Sequence, residues 1–304
     1  MMKLGITYLY TISTYGYPPR IEDDYKAIAD YEAMGFRYLE MEALGPRHAK
    51  DVWVHRAELR KRLDAHGVQV HNFCAVDPDL VSIDGNTRDA AVERFKRTCE
   101  LGVYLGTDTL HLASYAPPVE YTTGRPYALG EAYAIPGKTK VRIPDGFDWN
   151  DVWAALVDSS RRCAEIAADF GKTVIMEPRV GEVICTSDSL LRLIRDVGMD
   201  NFKANFDTGH FSAARENIPI CLMKMAGQFA NIHISDNDLA TPTHLTVGEG
   251  VIDWHEFFRI LKTMNYKGYL GLDLGESETL VDDLKRSIEY IKSVCKEVGV
   301  EIEV

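Results

Sequence analysis

The sequence lacks any Cys-x-x-Cys pair, and wide, irregular intervals separate its six cysteines, Cys74, Cys99, Cys163, Cys185, Cys221 and Cys295. That spacing reads as free, buried thiols in a reducing compartment rather than a disulfide framework. No apolar run approaches the ~18 residues a membrane helix needs. The opening Met1-Met2-Lys3-Leu4-Gly5-Ile6-Thr7 lacks the apolar core of a signal peptide. A soluble, cytoplasmic chain without a membrane partner is therefore expected. No Lys/Arg-rich run occurs and the formal net charge is −12, so DNA or RNA would meet long-range repulsion. No nucleic-acid partner is expected; cations and neutral small molecules suit the balance. Neither a dinucleotide-binding fingerprint nor a phosphate loop is found.

What is there is globular. Hydrophobic residues make up 46% and charged residues 26%, which excludes disorder and coiled coil. Apolar runs of strand length recur at Leu4–Thr7, Phe36–Met41, Val68–Phe73, Thr109–Leu112, Thr173–Met176, Phe202–Phe206, Asn231–Ile234 and Tyr269–Leu272. Between them lie amphipathic stretches, Ile21–Met34, Arg56–His66, Asn86–Leu101, Trp153–Phe170 and Asp188–Val197, each followed by a glycine that can end a helix: Gly35, Gly67, Gly102, Gly171 and Gly198. Strand, helix, glycine, strand, repeated, means parallel βαβ units. Eight such units in 304 residues predict one α/β domain over 1–304, a (βα)8 TIM barrel. An open doubly wound sheet is the weaker alternative. One connection breaks the rhythm. Residues 114–148, rich in Pro and Tyr, form a long insertion after the fourth strand, read as a lid or an interface at the carboxyl end of the barrel, with a plain surface excursion as the alternative.

The last four strands all end in a metal-capable side chain: Glu177, Asp207, His233 and Asp273. Neighbouring strands lie ~4.8 Å apart, so four inward side chains can converge on one divalent ion. Each carboxylate alone could be a helix cap or an ion-pair partner. Four together are poorly explained that way, because an unpaired buried charge is expensive and a cation removes the expense. Three carboxylates and one imidazole suit Mn²⁺ best, with Mg²⁺, Co²⁺ or Zn²⁺ as alternatives.

These residues resemble the sugar isomerase/epimerase barrels of the xylose-isomerase-like superfamily, which also holds the endonuclease IV group. The matching pieces are Glu177-Pro178, Asp207-Thr208-Gly209-His210, His233-Ile234-Ser235-Asp236, His244-Leu245-Thr246-Val247-Gly248-Glu249-Gly250 and Gly268-Tyr269-Leu270-Gly271-Leu272-Asp273. The resemblance implies Glu177, Asp207, His233 and Asp273 as metal ligands, His210 as a sugar-binding histidine and His244 as a substrate-binding residue. The family usually has Glu where this chain has Asp273. The carboxylate then sits ~1.3–1.5 Å further back, which predicts binding through a water or a weaker base.

Other residues have competing readings. His71 and His111, taken as the ends of the third and fourth strands, either bind substrate hydroxyls or, with Glu177 as a bridge, form a second metal site of the endonuclease IV type. Pro242 stands where that group carries an Asp, which counts against the nuclease arrangement. One of Glu40 and Glu42 should point into the barrel and bind a hydroxyl, the alternative being a surface ion pair. Of the tryptophans, Trp53, Trp153 and Trp254 read as core, and Trp149 as a ring that could stack on a sugar. Glu182 reads as an exposed loop residue.

The implied chemistry is proton abstraction α to a carbonyl through a metal-stabilised enediolate, giving a sugar isomerase or epimerase with Glu177 as the first candidate base, Asp273 as the second and His210 assisting. The same first step followed by β-elimination gives a lyase. The chain is similar to the α-type subunit of C-glycoside deglycosidases, which act on 3-oxo-glycosides with a small partner subunit. The expected assembly is a homo-oligomer, or a hetero-oligomer with such a partner. An endonuclease IV-like phosphodiesterase and a non-catalytic binding barrel are the remaining alternatives.

Overall fold

A computed structural model describes residues 1–123, 139–239, 243–275 and 277–304. Eight parallel strands form the barrel: β1 (Met2–Ile6), β2 (Tyr38–Leu44), β3 (Gln69–Val76), β4 (Thr109–Ala113), β5 (Thr173–Glu177), β6 (Phe202–Asp207), β7 (Phe229–Ile234) and β8 (Tyr269–Leu272). They pair in chain order, and β8 returns to β1 through Lys3–Tyr269, Leu4–Leu270, Gly5–Gly271 and Ile6–Leu272. A two-residue strand, Ile302–Glu303, adds to the start of β1. The expected barrel is what the chain adopts, and each of the eight apolar runs overlaps one strand.

The outward faces of the strands pack on the helices, and Phe73, Phe95, Phe202, Phe206, Trp254, Phe257 and Phe258 are fully buried. Trp254 and Trp153 belong to this core as expected, and Trp53 packs against it. Two helices differ from the pattern. Gly102 does not end its helix, which runs over Gly85–Leu105 and turns at Gly106 with φ 97°. A Cβ on Gly102 would lie 3.0–3.2 Å from Thr107, Leu110 and Phe73, so this glycine serves close helix–strand packing. The helix ending at Gly67 begins at Gly45, not Arg56, with Pro46 in its first turn and His48 and Val52 buried.

Within the insertion, residues 124–138 lie outside the described residues. Its flanks pair as an antiparallel ribbon, Glu120–Thr123 with Lys140–Arg142. The helix that follows spans Trp149–Asp169, capped by Asp148, whose side chain accepts from the Asn150 amide.

Candidate active site

Inward-facing positions recur every second residue along each strand. On β6 these are Asn205 and Asp207, on β7 Asn231 and His233, and on β5 the terminal Glu177. Asp207 stands level with His233 in the β6–β7 register. Around the top of the interior Glu177, Asp207 and His233 are all buried. His233 Nδ1 lies 2.9 Å from Glu177 Oε1 and 3.6 Å from Asp207 Oδ2. One ligand atom from each of the three falls within 4.8 Å of the others.

Three of the four expected ligands are therefore brought together. Their hydrogen bonding fits a cation. Asp207 Oδ1 accepts from the His210 amide at 2.7 Å and caps the short helix Thr208–Ala213. Its Oδ2 is buried without a hydrogen-bond partner, and so is His233 Nδ1, which faces Glu177 in a direction that makes no hydrogen bond. Orphaned buried polar atoms are costly unless something fills the space between them. The donor set, two carboxylates and an imidazole, is that of a hard-to-borderline divalent ion.

Charge in the cluster follows the same geometry. Burial disfavours the imidazolium of His233, but Glu40, Asp207 and Glu177 outweigh it and hold its pKa well above the usual histidine value. Glu177 is desolvated, yet Arg179, His111 and His233 hold its carboxyl well below the usual range. Arg179 Nε donates to Glu177 Oε2, and Asn205 Nδ2 donates to Oε1 at 3.0 Å.

Asp273 follows β8, and among the described residues it belongs neither to this group nor to the second one close enough to share an ion, Glu40, His111 and His233. Its Oδ1 accepts from Thr7 Oγ1 at 2.6 Å, and its Oδ2 lies 3.1 Å from His244 Nε2. The short side chain reaches His244 rather than the Glu177–Asp207–His233 triad. The segment that carries His244 is tied down next to it, where Leu245 bridges to the Asp236 backbone, and the Asp236 carboxylate accepts from the Gly248 and Ile252 amides and from the Trp254 indole at 2.8–3.1 Å. Gly250 is needed there, since a Cβ would come within 2.2 Å of Asp236 Oδ1. His210 and His244 meet edge to face at 5.8 Å. Burial pushes the His210 pKa down, whereas Asp273, working against burial, pushes that of His244 up.

His111 is buried with Nε2 3.7 Å from Glu177 Oε2. Asn72 Nδ2 donates to its Nδ1 at 3.2 Å, which leaves the proton on Nε2, facing the cluster. Burial lowers its pKa to about 4, so it is a neutral donor. His71 does not end its strand: β3 continues to Val76. Its ring stacks on Tyr269 at 4.3 Å, and its Nε2 lies 3.1 Å from Glu40 Oε1, below the top layer. Of the Glu40/Glu42 pair, Glu40 points inward and is 3% exposed, but its carboxylate is already engaged by protein donors. Trp149 is 41% exposed at the first turn of its helix, on the surface rather than in this cluster. Glu182 is buried, not exposed: its Oε2 accepts from Tyr115 N at 2.7 Å and Ser114 Oγ at 3.1 Å, and burial raises its pKa to about 7. Pro242 lies outside the described residues.

Sequence reasoning missed Asn205, Asn231, Thr7 and Arg179. The signal for the two asparagines was present, because each stands two residues before a named ligand and so shares its face.

A model of the xylose isomerase-like TIM barrel family matches residues 28–294. The chain belongs to that family. Inosose dehydratase of Glaesserella parasuis is 22% identical over 84% of this chain and 85% of its own length. Fructoselysine 3-epimerase of Escherichia coli O157:H7 is 25% identical over 41% of this chain and 46% of its own. Against the first curated relatives, the matched region spans 55–63% of their length. Among solved structures, the Escherichia coli 3-keto-D-glucoside 4-epimerase YcjR superposes with a TM-score of 0.73 at 18% identity, covering 96% of this chain and 100% of that one. The D-psicose 3-epimerase of Clostridium cellulolyticum H10, solved with D-tagatose, gives 0.73 at 17% identity, covering 96% and 99%. These likenesses show a shared fold. The family is one of sugar epimerases, isomerases and dehydratases. No helix among the described residues is long and apolar enough to cross a membrane.

Proposed function

We propose that the chain is a divalent-metal-dependent enzyme that removes a proton α to the carbonyl of a sugar or 3-oxo-glycoside. The observation that carries this reading is the pair of orphaned buried atoms, Asp207 Oδ2 and His233 Nδ1, beside Glu177. Glu177, Asp207 and His233 would hold the ion, and Asp273 would join through a water. When bound, a divalent cation supplies Lewis acidity toward a carbonyl oxygen.

The remaining roles fall to the chain itself. Glu177 is the first candidate base. It takes the proton, the C–H electron pair moves into the new C=C bond, and the C=O π pair moves onto the carbonyl oxygen. The Asp273–His244 pair, already 3.1 Å apart, is the second acid–base group. His111, with its proton on Nε2, and His210 donate to substrate oxygens. Return of the proton to the same carbon gives epimerisation, and return to the neighbouring carbon gives isomerisation. Loss of a β-substituent gives elimination, the reaction named in the dehydratase relatives. A C-glycoside lyase is that second outcome with an aromatic leaving group. The exposed ribbon flanking 124–138 offers a face for a small partner subunit, which is the form of the lyase reading.

The test is solvent exchange. Mn²⁺-loaded protein in D2O should place deuterium α to the carbonyl of a ketohexose or 3-oxo-glucoside, and chelator should stop it. Deuterium retained in an epimer or isomer selects the first reading, and release of a β-group selects the lyase. Cleavage of an abasic DNA duplex without any exchange would sink both.

A further inference from the structure

Below the triad the barrel interior carries a carboxylate that the proposed chemistry leaves unused. Glu40 on β2 is 3% exposed. His233 Nε2 lies 3.0 Å from both of its oxygens, His71 Nε2 lies 3.1 Å from Oε1, and Asn231 Nδ2 donates to Oε1 at 3.0 Å. Asn231 also donates to Asn205 Oδ1 at 3.1 Å, and Asn205 donates on to Glu177. One hydrogen-bonded path thus runs from Glu40 to two of the three triad residues.

Space for this arrangement is built into the two neighbouring strands. Gly5 and Gly271 pair across β1 and β8, and Gly271 stands level with His233. A Cβ on Gly271 would lie 3.0 Å from Thr7 Cγ2, 3.1 Å from Glu40 Oε1 and 3.2 Å from His233 Cδ2, and one on Gly5 would lie 2.7 Å from the Tyr38 carbonyl oxygen and 3.1 Å from His71 Cε1. Two glycines at one level leave room for one carboxylate and two imidazoles.

We infer that Glu40 is a positioning residue that selects the metal-binding nitrogen of His233. A carboxylate only accepts, so Nε2 must carry the proton it shares with Glu40. The lone pair of the neutral ring is then on Nδ1, the atom that faces Glu177 and Asp207. This is the carboxylate–histidine–metal relay, in which the outer carboxylate fixes the tautomer and raises ligand basicity. It replaces the reading of Glu40 as a hydroxyl ligand, because its oxygens already face three protein donors. The inference rests on the metal-dependent reading above.

The test titrates wild-type, Glu40→Gln and Gly271→Ala proteins with Mn²⁺, and records ¹⁵N-histidine spectra of the Zn²⁺-loaded wild type. Glu40→Gln should weaken Mn²⁺ binding on the order of 10–100-fold, and Gly271→Ala on the order of tenfold, although neither removes a ligand. The wild-type spectra should show His233 ligating through Nδ1 with a strongly hydrogen-bonded Nε2 proton. That measurement needs no variant to fold. Ligation through Nε2 would overturn the inference and favour the alternative grouping of Glu40, His111 and His233. Wild-type affinity retained in both variants would overturn it too. A wild type that binds neither ion would sink the functional reading and this inference together.

Discussion

The two ends of the barrel interior solve the same problem differently. At the amino end, Lys3 Nζ lies 5.0 and 4.7 Å from the ring centres of Tyr38 and Tyr269 and donates to Tyr269 Oη at 3.1 Å; Tyr269 Oη in turn donates to Asp108 at 3.1 Å. Charge there is neutralised by aromatic faces and a short chain of hydrogen bonds. At the carboxyl end, Asp207 Oδ2, His233 Nδ1 and His111 Nε2 are buried with no hydrogen-bond partner. The Lys3–Tyr269–Asp108 chain meets its own polar atoms, and one orphan lies beside it, His71 Nδ1 in the ring stacked on Tyr269. The carboxyl end is complete only with something added. In α/β barrels the carboxyl end is where chemistry is placed, and this chain shows the physical mark of that division in its unmet polar atoms.

Substitutions at the two ends should therefore separate function from stability. The largest effect is expected at Glu177. Glu177→Gln should lower kcat/KM for proton exchange by ~10³-fold, in the range for loss of a general base, while circular dichroism stays unchanged. A loss under tenfold would move the base role to Asp273.

Next in size is a pH effect at Glu182. Its folded pKa of about 7 stands above its ordinary value of 4.5. A raised folded pKa means stability is fully present below about 4.5 and is lost as pH rises through about 7. The shift corresponds to up to about 3 kcal/mol. Glu182→Gln should therefore flatten the fall in melting temperature of the metal-free protein between pH 5 and 8. An unchanged slope would assign that fall to other groups, Glu42 first, whose pKa burial raises to about 8.

Metal binding should itself release a proton. The metal-free pKa of His233 is held well above the usual value, so at neutral pH the ion displaces a proton from the ring. Affinity should then fall about tenfold per unit as pH drops below neutrality. Calorimetry in two buffers of different ionisation heat should count about one proton released. A count of zero would remove His233 from the ligand set.

The smallest effect is expected at the amino end. Tyr269→Phe keeps the ring against His71 and removes the hydroxyl between Lys3 and Asp108. It should cost about 1 kcal/mol in urea unfolding and leave turnover unchanged. A loss of turnover matching that at Glu177 would erase the contrast between the two ends.

Most of the fold was legible because strand runs, helices and glycine stops repeat at a fixed rhythm. Gly102 misled because a glycine that admits a close neighbour and one that ends a helix look alike in sequence. Glu177, Asp207 and His233 were legible because a charged or imidazole group at the end of an apolar strand has few structural explanations. Depth within the barrel was not. His71 and His111 both stand on apolar strands, and only the length of β3 and the stack on Tyr269 place His71 lower. Glu182 looked exposed because a charged residue in a connection after a strand is ordinarily solvated; its burial depends on Ser114 and Tyr115, which arrive from another strand end. The link between Glu40 and His233 joins residues far apart in the chain, and no local pattern announces it.

The most direct test is metal content per chain in purified wild type and in Asp207→Asn, in which the amide oxygen can still cap the following helix. The account predicts one divalent ion per wild-type chain, lost in a variant that remains folded. Equal metal content in the two proteins, or none in a folded wild type, would contradict it.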